Sequence, residues 1–286
     1  MAESETDKAA IPALNISGKS LVFGIIADPI GHVRGPTLMN RQFAAYGLDA
    51  VLVPFHVTPQ DLPDFWYGIK TLRNFGGFLV TMPHKFQAAE LCDSLMPMAE
   101  RTGAVNIVRI DEEGDTTGAM FDQDGFVAGL KERKYNLTGK RALLLGAGGA
   151  ATSLAHGLVD AGVKRLTIAN RNYDRAKILA ERLAESLDAA GTQLDGIDIV
   201  SGVPNTKEID ILINATSLGL KEDDPLPIAE EQLRPGMMVA EIIMQPVETK
   251  LLRTAKARGA DIHYGEPMLR CQLPMMLEFW GLHGEE

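Results

Sequence analysis

Lys85 stands just past an apolar run in Leu79-Val80-Thr81-Met82-Pro83-His84-Lys85, at a place where the ligand clefts of α/β sheets open. Asp122 follows another short strand-like run and starts a helical pattern. A lysine and a carboxylate in one cleft suit alcohol–ketone interconversion. The lysine relays the hydroxyl proton while hydride leaves carbon, and the carboxylate orients the hydroxyl and the ammonium. On spacing alone, a surface Lys–Asp pair is the commoner arrangement of these two residue types.

A second chemistry is written in Gly146-Ala147-Gly148-Gly149-Ala150-Ala151, set between an apolar strand pattern and a helical one. This fits the dinucleotide fingerprint in its required context. Gly146 permits the tight turn, Gly148 lets the backbone approach a pyrophosphate, Ala151 allows close helix–strand packing, and the helix N-terminus faces the phosphates. A glycine-rich turn without a ligand is the plain alternative. The next strand ends in Asn170-Arg171-Asn172, with Arg175 following and no acid at its tip. A carboxylate there would repel a 2′-phosphate, whereas two guanidinium groups can clamp it, so NADP is preferred and NAD remains possible. Asp174 is the competing feature, because it can face ribose hydroxyls instead.

These residues need elements to hold them. β-Branched runs alternate with helical patterns, which predicts an α/β fold with parallel strands. Strands are expected over 21–26, 51–57, 77–80, 104–110 and 117–120, and helices over 36–46 and 60–72. Asp122 is expected as the N-cap of a helix to about Arg133. After a polar linker over 132–140, strands at 140–145, 166–169, 209–214 and 238–243 alternate with helices at 150–161 and 173–189. Residues 267–282 have helical spacing and are expected to return to the first domain. The division predicted is a substrate (catalytic) domain of residues 1–124 plus 266–286 and a Rossmann-type domain of residues 125–265.

Composition narrows the function further. Lys+Arg is 28 and Asp+Glu is 38, a net charge of −10, which argues against nucleic acid as a partner. No run of about 18 apolar residues exists to span a bilayer, so no membrane is expected. Residues Met1–Ser20 are polar and acidic, unlike a signal peptide, and read as a loosely ordered tail. Cys92 and Cys271 are expected as buried, reduced thiols in a cytoplasmic protein. No metal site is expected.

The ordered motifs resemble the shikimate dehydrogenase/quinate dehydrogenase family from about Gly24 to Gly281. Asp28-Pro29-Ile30-Gly31-His32, with Pro36 and Asn40, looks like its N-terminal substrate loop. Val80–Lys85 is similar to its catalytic-lysine motif, Gly103-Ala104-Val105-Asn106 to a substrate segment, and Asp122 with Gly125-Phe126 to its catalytic-aspartate segment. Gly146–Ala151, Asn170-Arg171, Asn214-Ala215-Thr216-Ser217-Leu218-Gly219 and Met268-Leu269 with Gln272 complete the set. The resemblance implies that Lys85 and Asp122 are the catalytic pair and that Thr81, Asn106 and Gln272 contact substrate. It implies cofactor contacts from Gly146, Ala147, Gly148, Gly149, Ala150, Asn170, Arg171, Arg175, Thr216 and Gly265. It also implies a small cyclic hydroxy acid as substrate, a place in the shikimate pathway of aromatic amino acid biosynthesis or in quinate metabolism, and a monomer or homodimer.

The chain departs from that family where substrate is recognised. Members acting on shikimate usually carry Ser-x-Ser after the loop histidine, and the two hydroxyls hold the substrate carboxylate; here the segment is Val33-Arg34-Gly35. Each lost hydrogen bond to a charged group is worth about 1.5–3 kcal/mol, unless Arg34 supplies a bidentate replacement. Leu79 stands for an expected Asn, Met120-Phe121 for Asn-Thr, and Met244 for Tyr. Each exchange puts apolar surface near the expected pocket, which favours a differently substituted or less polar ring. The first reading is therefore an NAD(P)-dependent oxidoreductase of this type with altered substrate specificity. The rivals are an authentic shikimate or quinate dehydrogenase with a rebuilt carboxylate site, and a dinucleotide-binding sensor without turnover.

Overall fold

The structure, a computed structural model, describes residues 16–190, 194–201 and 204–282. Most of the tail expected over residues 1–20 lies outside the described residues. In chain order the elements are β1 (Leu21–Ala27), α1 (Gly35–Ala45), β2 (Ala50–His56), α2 (Leu62–Ile69), β3 (Phe75–Val80), α3 (Lys85–Leu91), β4 (Ser94–Leu95), α4 (Pro97–Thr102), β5 (Ile107–Ile110) and β6 (Thr116–Ala119). They continue as α5 (Asp122–Glu132), β7 (Arg141–Leu145), α6 (Gly149–Asp160), β8 (Arg165–Ala169), α7 (Tyr173–Ala190), β9 (Ile197–Val200), β10 (Ile211–Asn214), β11 (Met238–Glu241), α8 (Lys250–Ala257), β12 (Asp261–His263), α9 (Glu266–Arg270) and α10 (Leu273–Phe279). Two compact units result. The first holds the described residues up to Leu95, Val105–Ala119 and those from Leu273 onward; the second holds Met96–Ala104 and Met120–Gln272.

The first unit is built on a six-stranded sheet in the order β2-β1-β3-β5-β6-β4. β1 pairs in parallel with β2 and β3, while β5 runs antiparallel to β3 and β6 antiparallel to β5. Its aromatic residues are concentrated in one core: Trp66 meets Phe78 edge-on at 4.9 Å, and Phe23 lies 4.3 Å from Trp280. Trp280 also donates its indole N–H to Val108 O at 3.0 Å. Gly77 leaves the room for this contact, since a Cβ there would lie 2.1 Å from Val108 O and 2.9 Å from the indole nitrogen. Of the segment expected to return, the part from Leu273 onward belongs to the first unit, whereas Glu266–Gln272 stays with the second.

The second unit carries a six-stranded sheet in the order β12-β11-β10-β7-β8-β9, parallel throughout. Its central strands are apolar on both sides: Ala142–Leu144 of β7 and Ile211–Ile213 of β10 have no exposed surface. Near-continuous apolar runs of this kind are what a parallel sheet covered on both faces requires. Strand order reverses between β7 and β10, the topological switch point at which ligands of doubly wound sheets bind.

Several local expectations are corrected. Helix α5 starts with Asp122 itself, and Phe121, with φ −121°, occupies the cap position. Asp122 therefore sits in the first turn, where the helix dipole still favours a carboxylate. The expected helix over 267–282 is broken into α9 and α10, because Pro274, second residue of α10, has no N–H to continue the earlier turn. Both cysteines are free, but only half-buried rather than fully so.

Candidate functional site

In the first unit the site residues converge at the carboxyl end of β3. Thr81 N–H donates to Ile26 O at 3.1 Å, and Thr81 O accepts from His84 N–H at 2.9 Å. This turn delivers Lys85 as the first residue of α3. His84 is fully buried, its Nε2 2.8 Å from Val57 O, and burial pushes its pKa down, so a neutral imidazole pins the turn to the end of β2. Val105 N–H donates to Lys85 O at 3.0 Å, Val80 N–H to Asn106 O at 2.8 Å, and Asn106 N–H to Ala119 O at 2.9 Å. Thr81, Lys85 and Asn106 are thereby gathered by main-chain bonds at one sheet edge. Lys85 is only 9% exposed and Asn106 4%.

Arg34 is half-buried at the cap position of α1, at the end of the segment that leaves β1. That segment is tied to the lysine turn, because Asp28 N–H donates to Met82 O at 3.2 Å and the Asp28 carboxylate lies 2.8 Å from His56 Nε2. Gly35 follows directly. A Cβ there would lie 2.9 Å from Ile25 Cδ1 and 3.3 Å from Leu79 Cδ1. The ends of Ile25 and Leu79 thus both border the space that a side chain at 35 would need.

In the second unit the glycine turn lies at the switch point. Gly146 has φ 115°, and a Cβ there would meet Ala215 O at 2.7 Å, so both conformation and space demand glycine. Gly148 is the cap residue of α6 in an extended conformation, with nothing within 4 Å of where a Cβ would be. That open face is what the approach of a pyrophosphate to the backbone and helix N-terminus needs. Ala147, Gly149 and Ala150 are half-buried around it, while Ala151 is fully buried against the sheet.

At the tip of β8, Asn170 Nδ2 donates to Asn172 O at 2.8 Å, and Asn172 Oδ1 accepts from Arg175 N–H at 3.1 Å, which starts α7. Arg171 and Arg175 are exposed, and among the described residues no hydrogen bond or ion pair engages either guanidinium group. Asp174 is exposed between them. The donor set fits a dinucleotide bearing a 2′-phosphate: two uncommitted cations, an open helix N-terminus and no acid at the strand tip.

Asp122 and Gln272 are both buried in this unit, 3% and 2% exposed. The close packing of α5 on α9 positions them: a Cβ at Gly125 would lie 2.0 Å from Met268 O and 3.2 Å from Gln272 Cβ. Gln272 Nε2 donates to Met268 O at 3.0 Å. The Thr216 hydroxyl donates to Asn214 Oδ1 at 2.7 Å and accepts from Leu218 N–H at 3.1 Å, so its first task is to shape the turn after β10. Gly265 is a close-approach position as well, where a Cβ would lie 2.4 Å from Ile243 O. Sequence reasoning missed Glu241, which is fully buried and bonded to Asn214 across β10 and β11. An acid inside the apolar run 238–243 was the signal that could have found it. Among the described residues no group of His, Cys, Asp and Glu is placed to hold a metal ion, and no helix is long and apolar enough to cross a membrane.

Residues 25–108 match the family model of the shikimate dehydrogenase substrate binding domain, and residues 129–220 match that of shikimate/quinate 5-dehydrogenase. A shikimate dehydrogenase (NADP+) of Rubrobacter xylanophilus is 40% identical over 258 residues, covering 90% of this chain and 89% of its own length. A shikimate dehydrogenase crystallised in complex with NADP+ superposes with a TM-score of 0.84 at 32% identity, over 94% of this chain and 93% of its own. The 5-ketofructose reductase of a Gluconobacter species is likewise 32% identical, with a TM-score of 0.77 over 94% and 96% of the two chains.

Proposed function

This chain belongs to the shikimate/quinate dehydrogenase family, and from that premise we propose that it is an NADP-preferring oxidoreductase acting on a cyclic hydroxy acid or polyol ketone other than shikimate. The cofactor preference is carried by the two uncommitted arginines, Arg171 and Arg175, at the acid-free end of β8. When bound, the cofactor supplies or accepts hydride. Gly146, Ala147, Gly148, Gly149 and Ala150 hold its pyrophosphate on main-chain N–H groups, Asn170, Arg171 and Arg175 its 2′-phosphate end, and Thr216 and Gly265 its other half. The division proposed on function, a substrate domain of residues 1–124 plus 266–286 and a dinucleotide domain of residues 125–265, differs from the compact units, which group Met96–Ala104, Met120–Asp124 and Glu266–Gln272 with the dinucleotide sheet.

For reduction, Lys85 donates a proton to the carbonyl oxygen as hydride reaches the carbon; the reverse reaction returns that proton. Asp122 orients the hydroxyl, and Thr81, Asn106 and Gln272 bond ring hydroxyls. Burial of Lys85 keeps water from competing for the proton.

Altered recognition is supported by a physical coupling between two exchanges. Gly35 removes a hydroxyl from the expected carboxylate site, and Leu79 Cδ1, behind Ile25 Cδ1, narrows the room for a side chain at 35. A Cβ at 35 would crowd Ile25 Cδ1 first and Leu79 Cδ1 second, so a return to serine requires both side-chain ends to shift. Arg34, beside Gly35, takes over the substrate anion. The family fold accommodates such change, since one relative is named for a ketofructose substrate. The test is a panel of shikimate, quinate and aminated or deoxygenated analogues with NADPH/NADP+ and NADH/NAD+, with Lys85→Ala as control. Shikimate turnover at the rate of ordinary family members overturns the specificity reading. Cofactor binding without hydride transfer to any cyclic substrate overturns the enzymatic one.

A further inference from the structure

Glu241 ends β11 at the carboxyl edge of the second sheet, and none of its surface reaches solvent. Its Oε1 accepts from Asn214 Nδ2 at 3.1 Å and from the peptide N–H groups of Ile242 and Ile243 at 3.0 and 3.2 Å. Its Oε2 accepts from Asn214 Nδ2 at 3.0 Å and from Thr249 Oγ1 at 3.0 Å. Every partner is a neutral donor, so the cage suits an anion; on protonation only the Thr249 hydroxyl could turn to accept, and the amide and peptide N–H groups would face a weaker acceptor. A strand end could be closed more cheaply by an apolar residue, which makes what the carboxylate holds the informative part.

It holds two segments at once. Asn214, its amide aimed by Glu241, also donates to Leu218 O at 3.0 Å and accepts from Thr216 N–H at 3.2 Å. This shapes the turn whose Ala215 carbonyl abuts Gly146. On the other side, Ile242 and Ile243 are fixed by their N–H groups, and Ile243 O is the atom on which Gly265 packs. In the dinucleotide reading above, the pyrophosphate lies over the turn after β7 and the 2′-phosphate at the end of β8. The remaining half must then extend the opposite way along the strand order, across the carboxyl ends of β10 and β11.

We propose that Glu241 is a positioning residue for the nicotinamide half of the cofactor, acting through Asn214 and the Ile242–Ile243 segment. The proposal rests on the dinucleotide reading. It carries a pH signature, because burial pushes the Glu241 carboxyl up to about 7 against the pull of its four donors. Charged groups on the neighbouring elements do not bond to it. Glu248 lies 3.7 Å from Lys256, Lys250 is exposed, and Asp224 accepts from Gly219 and Lys221 N–H groups. On β12, burial pushes His263 down to about 4, so it stays neutral in the relevant range. As pH falls through about 7, Glu241 loses its charge, the two segments loosen, and cofactor affinity drops.

The experiment measures NADPH dissociation constants from pH 6 to pH 8 by fluorescence titration for the wild type, Glu241→Gln and Glu241→Asp. Glu241→Gln is expected to bind about tenfold more weakly at pH 8, the loss of one bond to a charged group, and to have lost the component of the pH dependence that belongs to the protein. Glu241→Asp is expected to keep that component. Titration of the NADPH phosphate is common to all three proteins and cancels in the comparison. Thermal melts report folding. Thr249→Ala serves as a second variant: removing one donor shifts the midpoint of the wild-type pH curve upward. Unchanged affinity and pH slope in Glu241→Gln, or an unmoved midpoint in Thr249→Ala, overturns the proposal. A wild type that binds neither NADPH nor NADH instead overturns the dinucleotide reading beneath it.

Discussion

The two units assemble their sites by different means. In the second, one contiguous stretch, Gly146–Ala151, presents backbone N–H groups and a helix N-terminus at the switch point of a fully parallel sheet. In the first, a mixed sheet gathers Arg34, the Thr81–Lys85 turn and Asn106 from three connections, and side chains carry the chemistry. Backbone recognition suits the constant part of a reaction, since a pyrophosphate needs only donors, a dipole and absent Cβ atoms. Side chains on connections can be exchanged without disturbing the strands beneath, which suits the variable part. Arg34 fits this logic, since it lies on the connection after β1; Leu79 lies within β3, and Phe121 and Met244 belong to the second unit.

Four experiments can break or sharpen that contrast. The largest effect is expected from Lys85→Met, which keeps the buried stem: turnover falls by about 10²–10⁴-fold, with NADPH affinity unchanged. An equal loss of NADPH affinity in a binding titration would show that the two sites are not separable. Next, Arg171→Ala combined with Arg175→Ala should weaken NADPH binding by about 1.5–3 kcal/mol and leave NADH nearly untouched. Parallel losses for both cofactors would remove the phosphate clamp from the account.

A smaller effect tests the apolar pair in the first unit. Gly35→Ser should cost about 1–3 kcal/mol in urea unfolding through overpacking against Ile25 and Leu79. Leu79→Ala in the same chain should recover part of it, with a coupling of about 0.5–3 kcal/mol. Strict additivity would uncouple the two exchanges.

The smallest concerns acid stability. Lys70 Nζ, Thr116 N–H and Thr116 Oγ1 each donate to Asp93 at 2.7 Å, and these bonds hold its carboxyl at about 2, below the ordinary 3.8. A lowered folded pKa stabilises the protein above the unfolded value, so this contribution is lost as pH falls from 3.8 towards 2. The Asp93 side chain is 44% exposed, which keeps the effect below about 1 kcal/mol. Urea melts across that range should be flatter for Asp93→Asn; the same slope as wild type would assign the acid limb to other carboxylates.

Much of this was legible because its causes are local. The glycine turn was readable from spacing, as was the lysine beyond the β3 run, and the alternation of patterns announced α/β architecture. Asp122 was placed one residue early because a cap and a first-turn acid differ by a single φ angle. Strands β4 and β12, of two and three residues, are too short for any periodicity to show. Helix α8 carries a local signal that sequence reasoning did not use, a Thr249 cap that accepts from Leu252 N–H.

What the sequence determined by itself was the chemistry available: a lysine, a carboxylate, a pyrophosphate turn, two arginines, and the order in which they are strung. Each rests on backbone requirements settled within a few residues. Only the tertiary structure decided which distant residues depend on one another. Glu241 aims Asn214 across 27 positions, Ile25 and Leu79 crowd the space beside Gly35, and Trp280 reaches Val108 across 172. Such pairings are set by sheet register and by the space left once strands and helices have packed, and no local pattern encodes either.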